Sequence, residues 1–401
     1  VDVNYIALAI PGFFALIALE LFVTRQRGER YYRLNDSVND LSTGVLQQMT
    51  TLLLAGLIVA GYLALHAHAR LFDLPPGNAL VWVGCFVGVD FLYYWFHRLS
   101  HEINFLWAAH VVHHQSEEYN LTVALRQSAL QPFFSMVFYW PLAILGFPPV
   151  VFLACVSFNT LYQFWIHTRV IGRLGPLEHV LMTPSHHRVH HGRNPIYIDR
   201  NHGGTFIVWD KLFGTFEPES EEVVYGITKP LASWNPIWAN LHYWVEMAGS
   251  ARATRRWKDK LLVFLEPPGW LPADLGGFQP APPVAPGTPK YDPRVDRSTA
   301  AYATVQFVEV LGLALVFIAG ADTLPGATLG TIALGVTWGM VTLGGLFDGA
   351  RWAGRAEWLR LIAMPIAAAA LAPQPIGIVL GAALTLNWPL AVWLDVRWRA
   401  R

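Results

Sequence analysis

Long apolar runs alternate with short polar stretches along this chain. The runs lie near residues 3–23, 44–65, 78–97, 129–146, 149–168, 299–320, 324–347, 357–372 and 375–396. Most approach the roughly 20 apolar residues that a helix needs to cross a bilayer. The pattern therefore predicts about nine spans. The pair at 129–168 is broken by "GFPPV", so it reads either as two full spans or as a re-entrant hairpin. No basic region precedes the first run, which reads as a retained helix rather than a cleaved signal. Segment 169–298 is the one large extramembrane piece. It ends in the Pro-rich "GFQPAPPVAPGTPK", an expected extended linker. Before that, the aromatic "WNPIWANLHYWVEM" reads as a helix at the lipid headgroups, with "RATRRWKDK" against anionic lipid. The expected fold is an all-α integral membrane protein, a multi-span helical bundle with a cytoplasmic, histidine-rich helical cap. The expected domains are 1–298 and a four-span membrane domain over 299–401.

Charge adds an orientation. Arg25, Arg27, Arg30 and Arg33 follow the first span, Arg351 and Arg355 the seventh, and Arg397, Arg399 and Arg401 the ninth. Nine alternating spans put all of these on one side, with little besides Arg70 opposite. The basic side is expected to be cytoplasmic, and 97–128 and 169–298 fall on it, together with the C-terminus.

Composition agrees. Of 401 residues, 54% are hydrophobic and 14% charged, against about 25% charged in an ordinary soluble domain. Net charge is zero, which gives no general attraction to nucleic acid. Cys85 and Cys155 both sit in apolar runs and read as buried structural thiols, which leaves no cysteine metal site.

The chemistry is in the histidines. Residues three and four apart share a helix face. His97 and His101 are so spaced, as are His110, His113 and His114, and again His187, His190 and His191. His167 ends the fifth span, with Gln163 and Asn159 stepping back from it on one face. Asp90, Tyr94, His97 and His101 make another narrow stripe. An intramembrane carboxylate needs a partner, so Asp90 reads as the orienter of a ligating imidazole or as a helix–helix polar contact. His66, His68 and His242 stand alone and read as ordinary residues. One ion takes about four to six ligands, so nine imidazoles imply two ions. Imidazole suits zinc, copper, iron and nickel, and ligand type alone does not decide. A hydrolytic zinc site usually has three protein ligands and an open position. Nine imidazoles make better sense for two irons that change oxidation state as oxygen binds. Carboxylates such as Glu102 and Asp199 are expected to offset the positive charge.

These boxes, HxxxH, HxxHH and HxxHH in order, resemble the fatty acid hydroxylase/sterol desaturase superfamily of integral-membrane di-iron enzymes. "DFLYYWFHRLSHE", "NLTVALRQS", "TPSHHRVHHGRN" and "GTFIVWDKLFGTF" resemble its alkylglycerol monooxygenase branch. The resemblance implies that His97, His101, His110, His113, His114, His187, His190 and His191 are iron ligands, and it matches His167 to a further histidine near the metals. His179 and His202 stand where relatives commonly carry aromatics and are read as substitutions rather than added ligands. His186 is expected to lie behind the ligands. Asn120, Arg126, Asn194, Asp199, Asn201 and Asp210 match polar positions of the branch, as site support or as caps. Glu102, Asn120 and Asp199 are the candidate catalytic residues.

The resemblance also implies a reaction. Oxygen is activated at reduced di-iron, and one atom enters a lipid C–H bond next to an ether oxygen. Cofactors are then two iron ions, O2 and tetrahydrobiopterin, and the partners are a membrane lipid substrate and the bilayer. The alternative is a fatty-acyl, aminolipid or sterol hydroxylase or desaturase with a separate electron donor. A metal transporter is a third reading, but it needs ligands strung through the bilayer depth, whereas these collect at one face.

Overall fold

In a computed structural model, residues 5–371, 381–382, 385–390 and 392–393 are described. The run expected over 375–396 lies largely outside the described residues, and Arg397, Arg399 and Arg401 lie wholly outside them. The described residues form helices and turns, with isolated bridges at Leu181–Phe206 and Gly192–Tyr225 in place of strands. In chain order the helices are α1 (Tyr5–Gln26), α2 (Leu34–Leu53), α3 (Ala55–Ala69), α4 (Ala79–Glu102), α5 (Asn104–His114), α6 (Leu121–Ala124), α7 (Gln131–Phe138) and α8 (Trp140–Leu145). They continue with α9 (Pro149–Trp165), α10 (Pro184–His190), α11 (Val208–Phe213), α12 (Pro236–Ala253), α13 (Trp257–Leu265), α14 (Arg297–Gly320), α15 (Gly326–Phe347) and α16 (Ala353–Leu371).

Among these, α1, α4, α14 and α15 are single helices long and apolar enough to cross a membrane. The run expected over 44–65 is divided at Leu54. The pair expected at 129–168 is also short. Gln131–Leu145 breaks at Tyr139, and Pro149–Trp165 has 17 residues. At 1.5 Å per residue that is about 26 Å, less than the roughly 30 Å hydrocarbon core. Local chemistry sets the turn between α8 and α9. Gly146 takes φ +94°, where a Cβ would strike the Phe72 carbonyl, and Pro149 opens α9.

The chain divides into two compact units. The first comprises 1–33, 54–231 and 240–290. Here α4 packs on α5 and α9. Tyr62 stacks on Phe152 at 4.0 Å within a core that also buries Cys85, Val89, Val151 and Cys155. Glu20 of α1 is buried and accepts from the Tyr32 and Thr168 hydroxyls and from the Leu121 amide. Thr168 directly follows His167, so this contact anchors α1 beside the histidines.

The second unit comprises 34–53, 232–239 and 291–401. Its core brings α2, α14, α15 and α16 together around Val310, Phe317, Val336, Met340 and Leu361. The core contains an ion pair. Arg360 and Glu357 are 2.7 Å apart and at most 1% exposed, and the Tyr302 and Thr342 hydroxyls donate to the same carboxylate.

Candidate metal centre

Three short helical segments and one helix end supply the imidazoles. Asn78 caps α4 by accepting from the Leu80 amide at 2.9 Å, and α4 carries His97 and His101 to its C-terminal turn. Ile103 is extended, with φ −126°. It turns the chain so that α5 carries His110, His113 and His114 back against them. Pro184 opens α10, which holds His187 and His190, and His191 follows at its C-cap. His167 follows α9.

All nine rings are at most 6% exposed, and they form two groups. His97, His101, His110, His114 and His190 make one. His113, His167, His187 and His191 make the other. Within each group the candidate ligand atoms lie within 4.8 Å of one another. The boxes do not map one to one onto the groups. The i, i+4 pair His110 and His114 joins the first, while His113 joins the second. In α10 the i, i+4 pair His187 and His191 joins the second, while His190 joins the first. The groups share a wall, where His114 stacks on His191 at 4.4 Å.

Hydrogen bonds assign the tautomers. Nδ1 of His97 donates to the His202 carbonyl (2.7 Å), that of His113 to the Arg126 carbonyl (2.8 Å), that of His167 to the Gln163 carbonyl (2.7 Å) and that of His190 to the Arg200 carbonyl (2.9 Å). His110 Nδ1 donates to Gln131 Oε1 at 2.8 Å. A neutral imidazole with its proton on Nδ1 leaves a lone pair on Nε2. Those Nε2 atoms face one another, at 3.1 Å for His97 and His110 and 3.2 Å for His113 and His167. Lone pairs so placed repel unless a cation lies among them. Nitrogens bound at about 2.1 Å and at right angles stand about 3.0 Å apart, close to these separations. His101, His190 and His191 each bury an Nε2 without a hydrogen-bond partner among the described residues. The donor set fits two imidazole-ligated cations.

Electrostatics point the same way. Desolvation holds His110, His114, His187 and His191 well below the ordinary imidazole value, with neighbouring imidazoles adding to it. Burial lowers His113 to about 4 and His190 to about 3. All six are neutral near pH 7, as ligands must be.

A loop gripped by two carboxylates carries two of the acceptors, the Arg200 and His202 carbonyls. Asp210 accepts the amides of His202 (2.7 Å) and Gly203 (2.8 Å). Asp90 accepts the amides of Thr205 (2.6 Å) and Phe206 (3.1 Å), the Trp209 indole (2.8 Å) and the Asn159 amide group (2.6 Å). Asp90 thus joins α4 to α9 and to this loop, and its hydrogen-bond partners among the described residues include no imidazole. The imidazole-orienting role considered for it belongs to main-chain carbonyls. Asp199 and Asn201 take φ +56° and +55°, an uncommon conformation for residues with side chains. They bracket Arg200, whose carbonyl holds His190.

The remaining candidates are more dispersed. Asp199 Oδ1 is 3.5 Å from His101 Nδ1. Its carboxyl is raised to about 6 by desolvation and then by the Glu102 charge. Glu102 pairs with Arg98 at 2.8 Å. Asn120 caps α6, accepting from the Thr122 amide, and donates to the Tyr31 carbonyl. Arg126 is buried and donates to the Val112 carbonyl and Gln115. Asn194 bonds the backbone at Glu222 and Val224, and Asn201 that at His186 and Glu217. His186 is buried beside Phe216, and His179 is exposed. Gln131 was not singled out by sequence, although a polar residue at the head of an apolar run was a usable signal. The carbonyl acceptors left no such signal.

Comparison with known proteins agrees with this geometry. The fatty acid hydroxylase family model matches residues 82–215, the stretch that holds all nine histidines. An alkylglycerol monooxygenase of Xenopus tropicalis is 41% identical over 90% of this chain and 81% of its own length. One of Homo sapiens is 44% identical over 77% of this chain and 70% of its own. An ornithine lipid hydroxylase of Rhizobium tropici is 32% identical over 36% of this chain and 44% of its own. No solved structure matches. On the strength of the long matches and the paired histidine clusters, this chain belongs to the alkylglycerol monooxygenase family of integral membrane fatty acid hydroxylases.

Proposed function

We propose that this protein is a membrane monooxygenase that hydroxylates alkylglycerols at the carbon next to the ether oxygen. The observation that carries the reading is the pair of neutral, buried imidazole clusters, taken with relatives named for this activity. His97, His101, His110, His114 and His190 would hold one iron, and His113, His167, His187 and His191 the other. When bound, two reduced irons supply oxygen activation and the redox steps that C–H cleavage requires.

The protein's own part is positional. Carbonyls of Arg126, Gln163, Arg200 and His202 keep protons on Nδ1, so each Nε2 stays a donor toward the cation. Burial of all nine rings keeps bulk water from the reacting centre. Asp199, beside His101, and Glu102 offset part of the positive charge, and Asn120 supports the site through α6. One atom of O2 enters the C–H bond and the other leaves as water, with two electrons and two protons from a reductant. The hemiacetal so formed breaks to an aldehyde and a glycerol hydroxyl. By family resemblance the reductant would be tetrahydrobiopterin, and the excess of arginine in the loops after the first and seventh apolar runs supports a cytoplasmic site.

Purified protein in micelles, given alkylglycerol, O2 and a tetrahydropterin, should release fatty aldehyde without ferredoxin or cytochrome. A strict ferredoxin requirement, with turnover of an acyl or amino lipid instead, would overturn this assignment in favour of a separately reduced hydroxylase.

A further inference from the structure

His202 is wholly buried, and neither ring nitrogen has a hydrogen-bond partner among the described residues. Burying an imidazole without partners is unfavourable, so its position calls for a cause. The ring stands against three members of the five-histidine cluster. Its centroid is 5.1 Å from that of His101, 5.6 Å from His190 and 5.7 Å from His97. Ring contacts among the five themselves run from 4.3 Å for His97–His190 to 5.4 Å for His97–His101.

The backbone holds the ring there. The His202 amide donates to Asp210 at 2.7 Å, and its carbonyl accepts from His97 at 2.7 Å. The Asp199 carbonyl faces the ring, though outside hydrogen-bonding geometry. A nearby main-chain carbonyl is also what His97 and His190 have. The His202 nitrogens fall outside the mutual 4.8 Å set of the five, so the ring must rotate or shift to reach a cation there. No hydrogen bond from the described residues holds it back.

We propose that His202 supplies a sixth imidazole ligand to the cation of the five-histidine cluster. This rests on the reading that both clusters hold cations. Six nitrogen donors lie within the range that imidazole-bound first-row metals accept. Among the described residues His202 makes no ring contact with the four-histidine cluster, so the two cations would differ in coordination number.

The test uses the full-length protein in micelles, stripped and reloaded with Co2+. Wild type should take up two Co2+ per chain; failure to do so would overturn the cation-binding reading itself. His202→Phe should still take up two. One of them should bind at least tenfold more weakly, and its ligand-field absorption should intensify as coordination falls from six to five. His202→Gly should behave alike, and added imidazole should restore the wild-type spectrum; this variant reads the same outcome if the Phe variant does not fold. Two Co2+ with unchanged band intensities in a folded variant would overturn the proposal. Weaker binding without a spectral change would also overturn it, since His202 would then act only through the groups around it.

Discussion

A side chain at residue 204 would collide with Asp90: a Cβ on Gly204 would stand 2.9 Å from Asp90 Oδ1 and within 3.0 Å of Tyr93 and Asn159. Glycine lets the loop pass close enough for Asp90 to take the next two amides. Gly204→Ala is expected to displace that loop and, with it, the carbonyl that orients His97. The expected loss is about 1–3 kcal/mol of stability, together with most of the activity. Thermal unfolding and aldehyde release measured on the same preparation check it; an alanine variant of unchanged stability and rate would refute the close approach.

Because His113 and His190 belong to different clusters, their removal should be separable. His113→Ala and His190→Ala should each abolish turnover and lower bound iron from two to about one per chain, measured by elemental analysis of purified protein. Two retained irons, or full activity, in either variant would contradict the ligand assignment.

Acid should destabilise the metal-free protein first through these same rings. His113 titrates at about 4 and His190 at about 3 in the folded state, against about 6.5 when unfolded. Between those values the unfolded chain binds more protons. Stability is therefore present above pH 6.5 and is lost as pH falls through the folded values. Unfolding midpoints of apoprotein should fall steadily below about pH 6.5, and bound metal should be released over the same descent. A midpoint flat from pH 7 to pH 4 would rule this out.

Glu357 and Arg360 make a different kind of prediction, away from the histidines. Removing one partner strands a buried charge, so Glu357→Leu is expected to cost roughly 3–5 kcal/mol. Adding Arg360→Met should recover most of that, since apolar replacements of buried pairs are often neutral. Tryptophan-monitored unfolding in detergent reads both. A double variant as unstable as the single one would show that the pair's own geometry is required.

The histidines were legible because i, i+3 and i, i+4 spacing survives in a string of letters and because apolar runs flank it. Their division into five and four was not, since it depends on how α4, α5 and α10 face one another. Nor were the acceptors of their protons, since a main-chain carbonyl has no letter of its own. Asp90 was noticed as a buried carboxylate on the right stripe, and its bond to Asn159 is the helix–helix polar contact considered for it, but its other partners, two amides and an indole, lie more than one hundred residues away. The apolar runs marked most of the long helices. They did not reveal the break at Leu54, where leucine carries no breaker signal, and they left open whether 129–168 holds two full spans or a hairpin; the short α9 decides against two full spans. His202 was read by its resemblance to aromatic positions, and its surroundings were visible only in three dimensions.

The crossing of the boxes between the two clusters has a consequence for assembly. Both α5 and α10 contribute to each cluster, so whichever ion arrives first clamps two helices that the second ion also requires. The ordering entropy for the second site is then largely settled in advance. Loading should be cooperative, the first ion raising the affinity for the second, so a variant with one cluster broken should hold its remaining ion more weakly than the wild type holds either of its two.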